Sequence, residues 1–347
     1  YKFKALGRFD YTPEDCFAFH AAVKEHILPL QESLLEFRRN KLGLEKLRPY
    51  DTSAVPKGEE PLHPFETGAE LLGKSIKAFD GLQPFLGNCL KTMKQMNRLD
   101  LDSRKGKAPG GYNCPLPETG VQFIFMNAAG TMGDVITMMH EGGHAVHSFL
   151  SHDLPLSFFK EYPMEIAELA SMSMELFSME NWDQFYDTAE ELLRARQEEL
   201  ERVIDVLPWI ATIDKFQHWL YTHPGHGPQQ RKMAWQEIQE EFSPKNVDYT
   251  GLAAYREYNW QKQLHLYEVP FYYIEYGIAQ LGAIAMWRQF KQDKHQALAN
   301  YKKALSLGYT KTLPELYEIA GIKFSFAPEY IQELKAFLNK ELEAAGI

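Results

Sequence analysis

Cysteine is scarce in this chain of 347 residues: Cys16, Cys89 and Cys114 are the whole set, and no C-x-x-C spacing occurs. So sparse and odd a set excludes a disulfide framework and reads as free thiols in a reducing, cytoplasmic compartment. Long apolar runs are missing too, so no transmembrane segment is expected. No signal-peptide pattern opens the chain. Basic residues do not dominate. Thirty-seven Lys and Arg against 47 Asp and Glu leave a net charge of −10, which argues against a nucleic-acid partner. Internal repeats and low-complexity tracts are absent as well. What is present is 45 % hydrophobic content over a length that supports a large core in one or two domains.

The chemistry is concentrated in residues 134–175. At their centre stands His140-Glu141-Gly142-Gly143-His144, an H-E-x-x-H pattern. Residues four apart on a helix share a face, so His140 and His144 can offer two imidazole nitrogens to one metal ion, while Glu141 is placed to take a proton. Val135, Ile136, Met138, Met139, Val146, Phe149 and Leu150 give the near-helical apolar spacing, with Asp134 as the expected N-cap and no proline before Pro155. Gly142 and Gly143 each cost such a helix about 1 kcal/mol relative to alanine. Their presence implies close approach of another backbone, or of substrate, beside the metal.

Zinc suits imidazole ligands, and a catalytic zinc takes three protein ligands and leaves one position for water. The longer zincin pattern, with a glycine and a third histidine at fixed offsets, is excluded because those offsets hold His147 and Leu150. His147 reads as a packing or supporting residue, since three ligands from one straight helix rarely meet a tetrahedral site. A second helical pattern begins near Glu161. Glu161, Glu165, Glu168 and Glu175 share one face of it, in surroundings that are otherwise apolar nearly all round. Carboxylates seldom enter such surroundings unless paired or metal-bound, so one of them is expected as the third ligand; spacing alone leaves Glu165 and Glu168 both open.

The run HEGGHAVH followed by EYPMEIAELASMSMEL resembles the thimet-oligopeptidase and oligoendopeptidase-F family of zinc peptidases, and more closely the oligoendopeptidase-F branch. The resemblance implies a mainly α-helical, gluzincin-type catalytic domain forming the wall of a deep substrate channel, with one zinc ion. It selects Glu168, which opens the family's E-x-x-S-x-x-x-E run, as the third ligand beside His140 and His144. Glu175 then orients a histidine ligand. The family also has a histidine followed by a tyrosine cluster further along, and His265 with Tyr276 fits it; the resemblance leaves the intermediate tyrosine open between Tyr272 and Tyr273. Substrates implied are short, unfolded peptides. Family members carry a helical N-terminal half, so this chain is expected to be the C-terminal part of a longer protein, whose other half completes the channel.

Elsewhere the chain reads as scaffold. Residues 12–40 form a helix capped by Thr12 and kinked at Pro29; 41–65 form a proline-punctuated connection; 66–97 form a helical stretch broken near Gly81 to Pro84. Residues 121–127, after a basic loop containing Gly110-Gly111-Tyr112, are the one convincing strand, expected as an edge to which a peptide backbone can pair. Residues 181–222 are strongly helical with Pro208 as a kink, and His223-Pro224-Gly225-His226 reads as a turn rather than a metal tract. His265 to Gly282 reads as a tyrosine-rich helix whose phenols and imidazole can stabilise an oxyanion. We therefore divide the single catalytic domain into a helical channel wall (1–100), the zinc site and substrate-binding core (101–290) and supporting helices (291–347). Hydrolysis would proceed by Glu141 accepting a proton from water at the zinc. A zinc carboxypeptidase on a related helical fold, and a non-catalytic helical scaffold stabilised by zinc, are the rival readings.

Overall fold

The computed structural model describes residues 6–347, which are mainly helical with one small sheet. In chain order the longer helices are α1 (Pro13–Ala22), α2 (Leu28–Lys41), α3 (Gly68–Leu82), α4 (Pro84–Gln95), α5 (Met132–Ser151) and α6 (Met164–Ser178). They continue as α7 (Ala189–Thr222), α8 (Pro228–Glu241), α9 (Tyr273–Gln292), α10 (Lys294–Leu305), α11 (Leu313–Ile319) and α12 (Pro328–Ala344). Between α4 and α5 lie β1 (Leu99–Asp102), β2 (Tyr112–Cys114) and β3 (Phe123–Ala128). The contacts divide the chain into two units. One gathers the described residues up to Glu60 with Gln197–Ile278 and Ser325–Ile347; the other holds Pro61–Arg196 and Ala279–Phe324.

In the first unit, α1 starts where expected. The Thr12 hydroxyl accepts from the Asp15 N–H, and the Asp15 carboxylate accepts from the Thr12 N–H. The irregularity expected at Pro29 is a π-helical turn over Val23–Ile27, after which Pro29 opens α2. Helix α7 carries Pro208 in its interior.

The second unit is built around α5 and α6. Helix α5 is capped by Thr131 rather than by Asp134: the Thr131 hydroxyl receives the Asp134 N–H, and the Asp134 carboxylate receives the Thr131 N–H at 2.9 Å. Asp134 is therefore the third helical residue of a capping box, since two cap-forming residues three apart leave the sequence ambiguous about which one leads. Helix α6 begins at Met164 behind Pro163, so Glu161 lies outside it on an exposed turn. From Glu165 to Ser178 every residue of α6 is buried. The Tyr301 hydroxyl on α10 donates to the Ala170 carbonyl at 2.8 Å, and Phe177 stacks on Phe290.

The sheet order is β1-β3-β2, with β1 parallel and β2 antiparallel to β3. The expectation that residues 121–127 form an edge is thus corrected, because β3 is the central strand and both its sides are paired. Ile124 and Met126 point inward and Phe123 and Phe125 are half-exposed, so the alternation was real but reported faces, not edges. The basic loop is anchored. Arg104 grips Asp100 with two hydrogen bonds of 2.7 and 2.8 Å, and Lys107 bonds Asp100 at 3.0 Å while lying 4.5 Å from the Phe125 ring.

Candidate active site

Two helices set the geometry of the site in the second unit. Gly142 and Gly143 explain how they come so close. A Cβ on Gly143 would stand 2.6 Å from the Ser171 Cα and 2.8 Å from the Ala170 carbonyl oxygen, and one on Gly142 would meet the tip of the Phe79 ring at 2.8 Å. The glycines therefore admit the backbone of α6 on one side and an aromatic ring of α3 on the other. That close approach brings the α6 glutamates to the α5 histidines.

The His140 and His144 rings lie 4.8 Å apart, nearly perpendicular. Glu168 Oε2 stands 3.2 Å from His140 Nε2 and 3.7 Å from His144 Nε2, and the three donor atoms lie within 4.8 Å of one another. On its other side the His140 ring turns Nδ1 to Glu175 Oε1 at 2.5 Å. The Ser171 hydroxyl donates to Glu168 Oε2 at 3.2 Å. Glu165, which spacing could not separate from Glu168, is buried but outside this cluster, and its backbone carbonyl receives the Tyr317 hydroxyl.

The residues fit a divalent ion. Ligands about 2.05 Å from a tetrahedral zinc stand about 3.3 Å apart, close to the observed 3.2 and 3.7 Å. The electrostatics agree. Glu141, Glu168 and Glu175 bring three carboxyls into one buried neighbourhood, and the titrating groups respond. Burial opposes charge on His140, but Glu168 and Glu175 outweigh it and raise its pKa well above the ordinary value. Burial lowers His144 to about 4 against the pull of Glu168. Burial likewise raises Glu141 to about 7, with Glu168 and Glu175 adding to it and His140 opposing. A dication among these carboxylates would supply the charge they lack.

His147 is not part of the cluster. It is fully buried, stacked on Tyr162 with ring centroids 3.6 Å apart, and burial pushes its pKa well down. The outer strand β2 lies against the same helix, where the Asn113 side-chain amide donates to the Glu141 carbonyl at 3.1 Å. Ser171 is the serine of the E-x-x-S-x-x-x-E run, but no role was assigned to it; Asn113 was not singled out and had no readable signal.

The histidine and tyrosines expected further along belong to the first unit, where they form a cluster of their own. His265 Nε2 lies 3.4 Å from the Tyr276 hydroxyl, and its Nδ1 lies 2.7 Å from the Gln263 side-chain amide. The rings of Tyr272, Tyr273 and Tyr276 surround His265 at 5.1 to 5.8 Å between centroids. They do not share one helix, which corrects the continuous tyrosine-rich helix expected here. His265–Glu268 is a single turn, and Phe271 at φ +65° breaks the chain before α9 starts at Tyr273. The His223 to His226 stretch is a turn, with His223 stacked on Trp219.

A helix-borne histidine pair one turn apart, completed by a glutamate from the following helix, is the donor arrangement of the gluzincin class. The sequence profile of Peptidase family M3 matches residues 1–336, and the chain belongs to that family. Its relatives place it in the oligoendopeptidase F branch. Among them is an oligoendopeptidase F homolog of Lactococcus lactis subsp. lactis, 22 % identical over 96 % of this chain and 55 % of its own. The chromosomal oligoendopeptidase F of Lactococcus lactis subsp. cremoris is also 22 % identical, over 96 % of this chain and 54 % of its own. A solved structure of PZ peptidase A with an inhibitor superposes with a TM-score of 0.89 at 31 % identity, covering 97 % of this chain and 60 % of that one. The chain thus spans just over half the length of these two Lactococcus relatives. Among the described residues no helix is long and apolar enough to cross a membrane.

Proposed function

We propose that this chain carries the catalytic centre of a zinc-dependent endopeptidase that hydrolyses internal bonds of short, unfolded oligopeptides. The observation that carries the reading is the convergence of His140, His144 and Glu168 from two helices, with Glu141 beside them. A zinc ion, when bound there, supplies Lewis acidity and brings the pKa of a coordinated water to about 7. His140, His144 and Glu168 would hold it, and Glu175, accepting a hydrogen bond from His140 Nδ1–H, would keep Nε2 as the lone-pair nitrogen available to the ion. Glu141 accepts a proton from water as the water oxygen attacks the scissile carbonyl carbon, then delivers it to the leaving nitrogen. His265 and Tyr276 are assigned as neutral donors to the developing oxyanion, with Tyr272 or Tyr273 beside them. The Trp209 indole N–H donates to the Tyr273 hydroxyl oxygen. The substrate backbone is assigned to β2, whose outer position in the sheet presents an unpaired ladder edge beside α5. Three free cysteines fit a reducing, cytoplasmic setting.

The test is Glu141→Gln. Zinc content should persist while peptide turnover falls by about 10²- to 10⁴-fold. Unchanged turnover would point to a structural metal on a non-catalytic scaffold. A peptide cleaved with a free C-terminus but not when amidated would point to a carboxypeptidase.

A further inference from the structure

A second group of metal-ligating side chains lies in the first unit, between α1 and α7. Cys16 and His20 are one turn apart on α1, and Asp214 and His218 are one turn apart on α7. Two such i, i+4 pairs on facing helices converge as ligands do in helical metal sites. A ligand atom from each of Cys16, Asp214 and His218 lies within 4.8 Å of the others. Asp214 Oδ2 is 2.8 Å from His20 Nε2 and 3.4 Å from His218 Nε2. The group is buried. Cys16 and Asp214 are fully buried and His20 is 4 % exposed, while His218, at 9 %, is the approach from solvent. Asp214 Oδ1 and His20 Nδ1 are buried with no hydrogen-bond partner.

Rings wall the group in. Phe17 and Phe271 each stand 5.0 Å from His218, and Phe242 stands 6.3 Å from His20. Phe271 holds its place in a left-handed backbone conformation, its N–H donating to Gln217 Oε1 at 2.8 Å, so strain is spent on the residue that packs against His218. Arg8, whose charge acts on Cys16, is itself paired with buried Glu275.

We propose that Cys16, Asp214 and His218 form a second site for a divalent ion of the zinc class, with His20 orienting Asp214. Sulfur, imidazole and carboxylate together suit zinc and cobalt rather than magnesium or calcium, which take oxygen ligands. Charge supports the choice. Cys16 releases its proton to solvent on binding, and a dication with one thiolate and one carboxylate is neutral, which an apolar interior tolerates. A histidine–aspartate network holding only a proton would leave Cys16 without a role.

The probe is cobalt(II), because a thiolate ligand gives a sulfur-to-cobalt charge-transfer absorption in the near ultraviolet that an imidazole–carboxylate site lacks. The chain is produced in cobalt-supplemented medium, so that loading does not depend on entry into the folded protein. The band should appear in the wild type, persist in His144→Ala and in Cys89→Ser/Cys114→Ser, and disappear in Cys16→Ser and in His218→Gln. Metal content should drop from two ions per chain to one in Cys16→Ser. Folded wild-type protein that holds cobalt without the band overturns the proposal, as does a band that survives Cys16→Ser. Because the His144→Ala arm lacks the histidine pair, failure here is distinguishable from failure of the peptidase reading.

Discussion

Replacing Gly143 by alanine should damage the metal centre without touching a ligand. The added Cβ would lie 2.6 Å from the Ser171 Cα, 2.8 Å from the Ala170 carbonyl oxygen and 3.0 Å from the Met174 Cβ. Carbon atoms rest at about 3.5–4.0 Å, so α5 and α6 would have to part by about 1 Å at this point. Two of the three neighbours are backbone atoms that no rotamer change can move. Helix α6 has no slack behind it, because it is buried on every side and Tyr301 holds the Ala170 carbonyl. Overpacking of this kind costs about 1–3 kcal/mol, and the helix preference of alanine returns about 1 kcal/mol, leaving a net loss of about 0–2 kcal/mol. The metal site should suffer more. The 3.2 Å separation between Glu168 and His140 would widen past the roughly 3.3 Å a tetrahedral zinc asks for, the 3.7 Å separation from His144 would depart further from it, and affinity should fall about 10- to 100-fold, as when a supporting residue is lost. Zinc affinity by chelator competition and thermal unfolding of the ion-free chain measure the two effects. Gly142→Ala is the comparison, since its Cβ meets side chains, the buried Phe79 ring and Leu90, rather than the backbone of α6, so it should perturb packing without prising α5 from α6. A Gly143→Ala protein that binds zinc as the parent does and unfolds at the same temperature or higher would refute this account of how the helices meet.

Glu175→Gln, which keeps the shape but weakens the grip on His140 Nδ1, should cost zinc affinity about 10- to 100-fold while the fold persists by circular dichroism. Zinc affinity should also fall as the solution is acidified, because the carboxylates hold the His140 proton well above the usual range and that proton must leave. Calorimetry at pH 7 in buffers of different ionisation enthalpy should show release of about one proton per ion, and a buffer-independent heat would exclude it. In the ion-free chain the sign is reversed: stability contributed by charged His140 is fully present below about pH 6.5 and is lost as pH rises through its raised value, which thermal melts across that window can follow. Tyr276→Phe should lower kcat by about 10²- to 10³-fold with zinc content unchanged, and a change confined to KM would remove it from the oxyanion role.

The cluster of His140, His144 and Glu168 was legible only in part from local geometry. A helix places His140 and His144 together whatever surrounds it, whereas an apolar helix bearing both Glu165 and Glu168 announces a buried partner without saying which, and the family resemblance made that choice. The glycine pair was also readable as a close approach, although whether α6, Phe79 or substrate approached could not be told without the tertiary packing. Errors fell where local signals are degenerate. Thr131 and Asp134 both look like caps. The alternation of Val121 to Met126 separates two faces, both largely apolar, but says neither which one turns inward nor what pairs with the strand, so the central position of β3 was invisible. The break at Phe271 went unread because a left-handed phenylalanine carries no compositional mark, and it is imposed by the bond to Gln217 and the ring contacts of His218 and Tyr221. Cys16 and Asp214 are 198 positions apart, a separation no periodicity bridges.

The complete enclosure of α6 has a further consequence. A rod with no outward side cannot be rolled or slid. Losing one residue within it would turn everything beyond that point by about 100° and carry Glu175 away from His140. The largely exposed stretch between α5 and α6, residues 152–163, is held mainly through Leu154, Phe158, Phe159 and Tyr162. Insertions and deletions between the two helices should therefore collect there, away from those contacts, where the count can change without disturbing how the helices mesh.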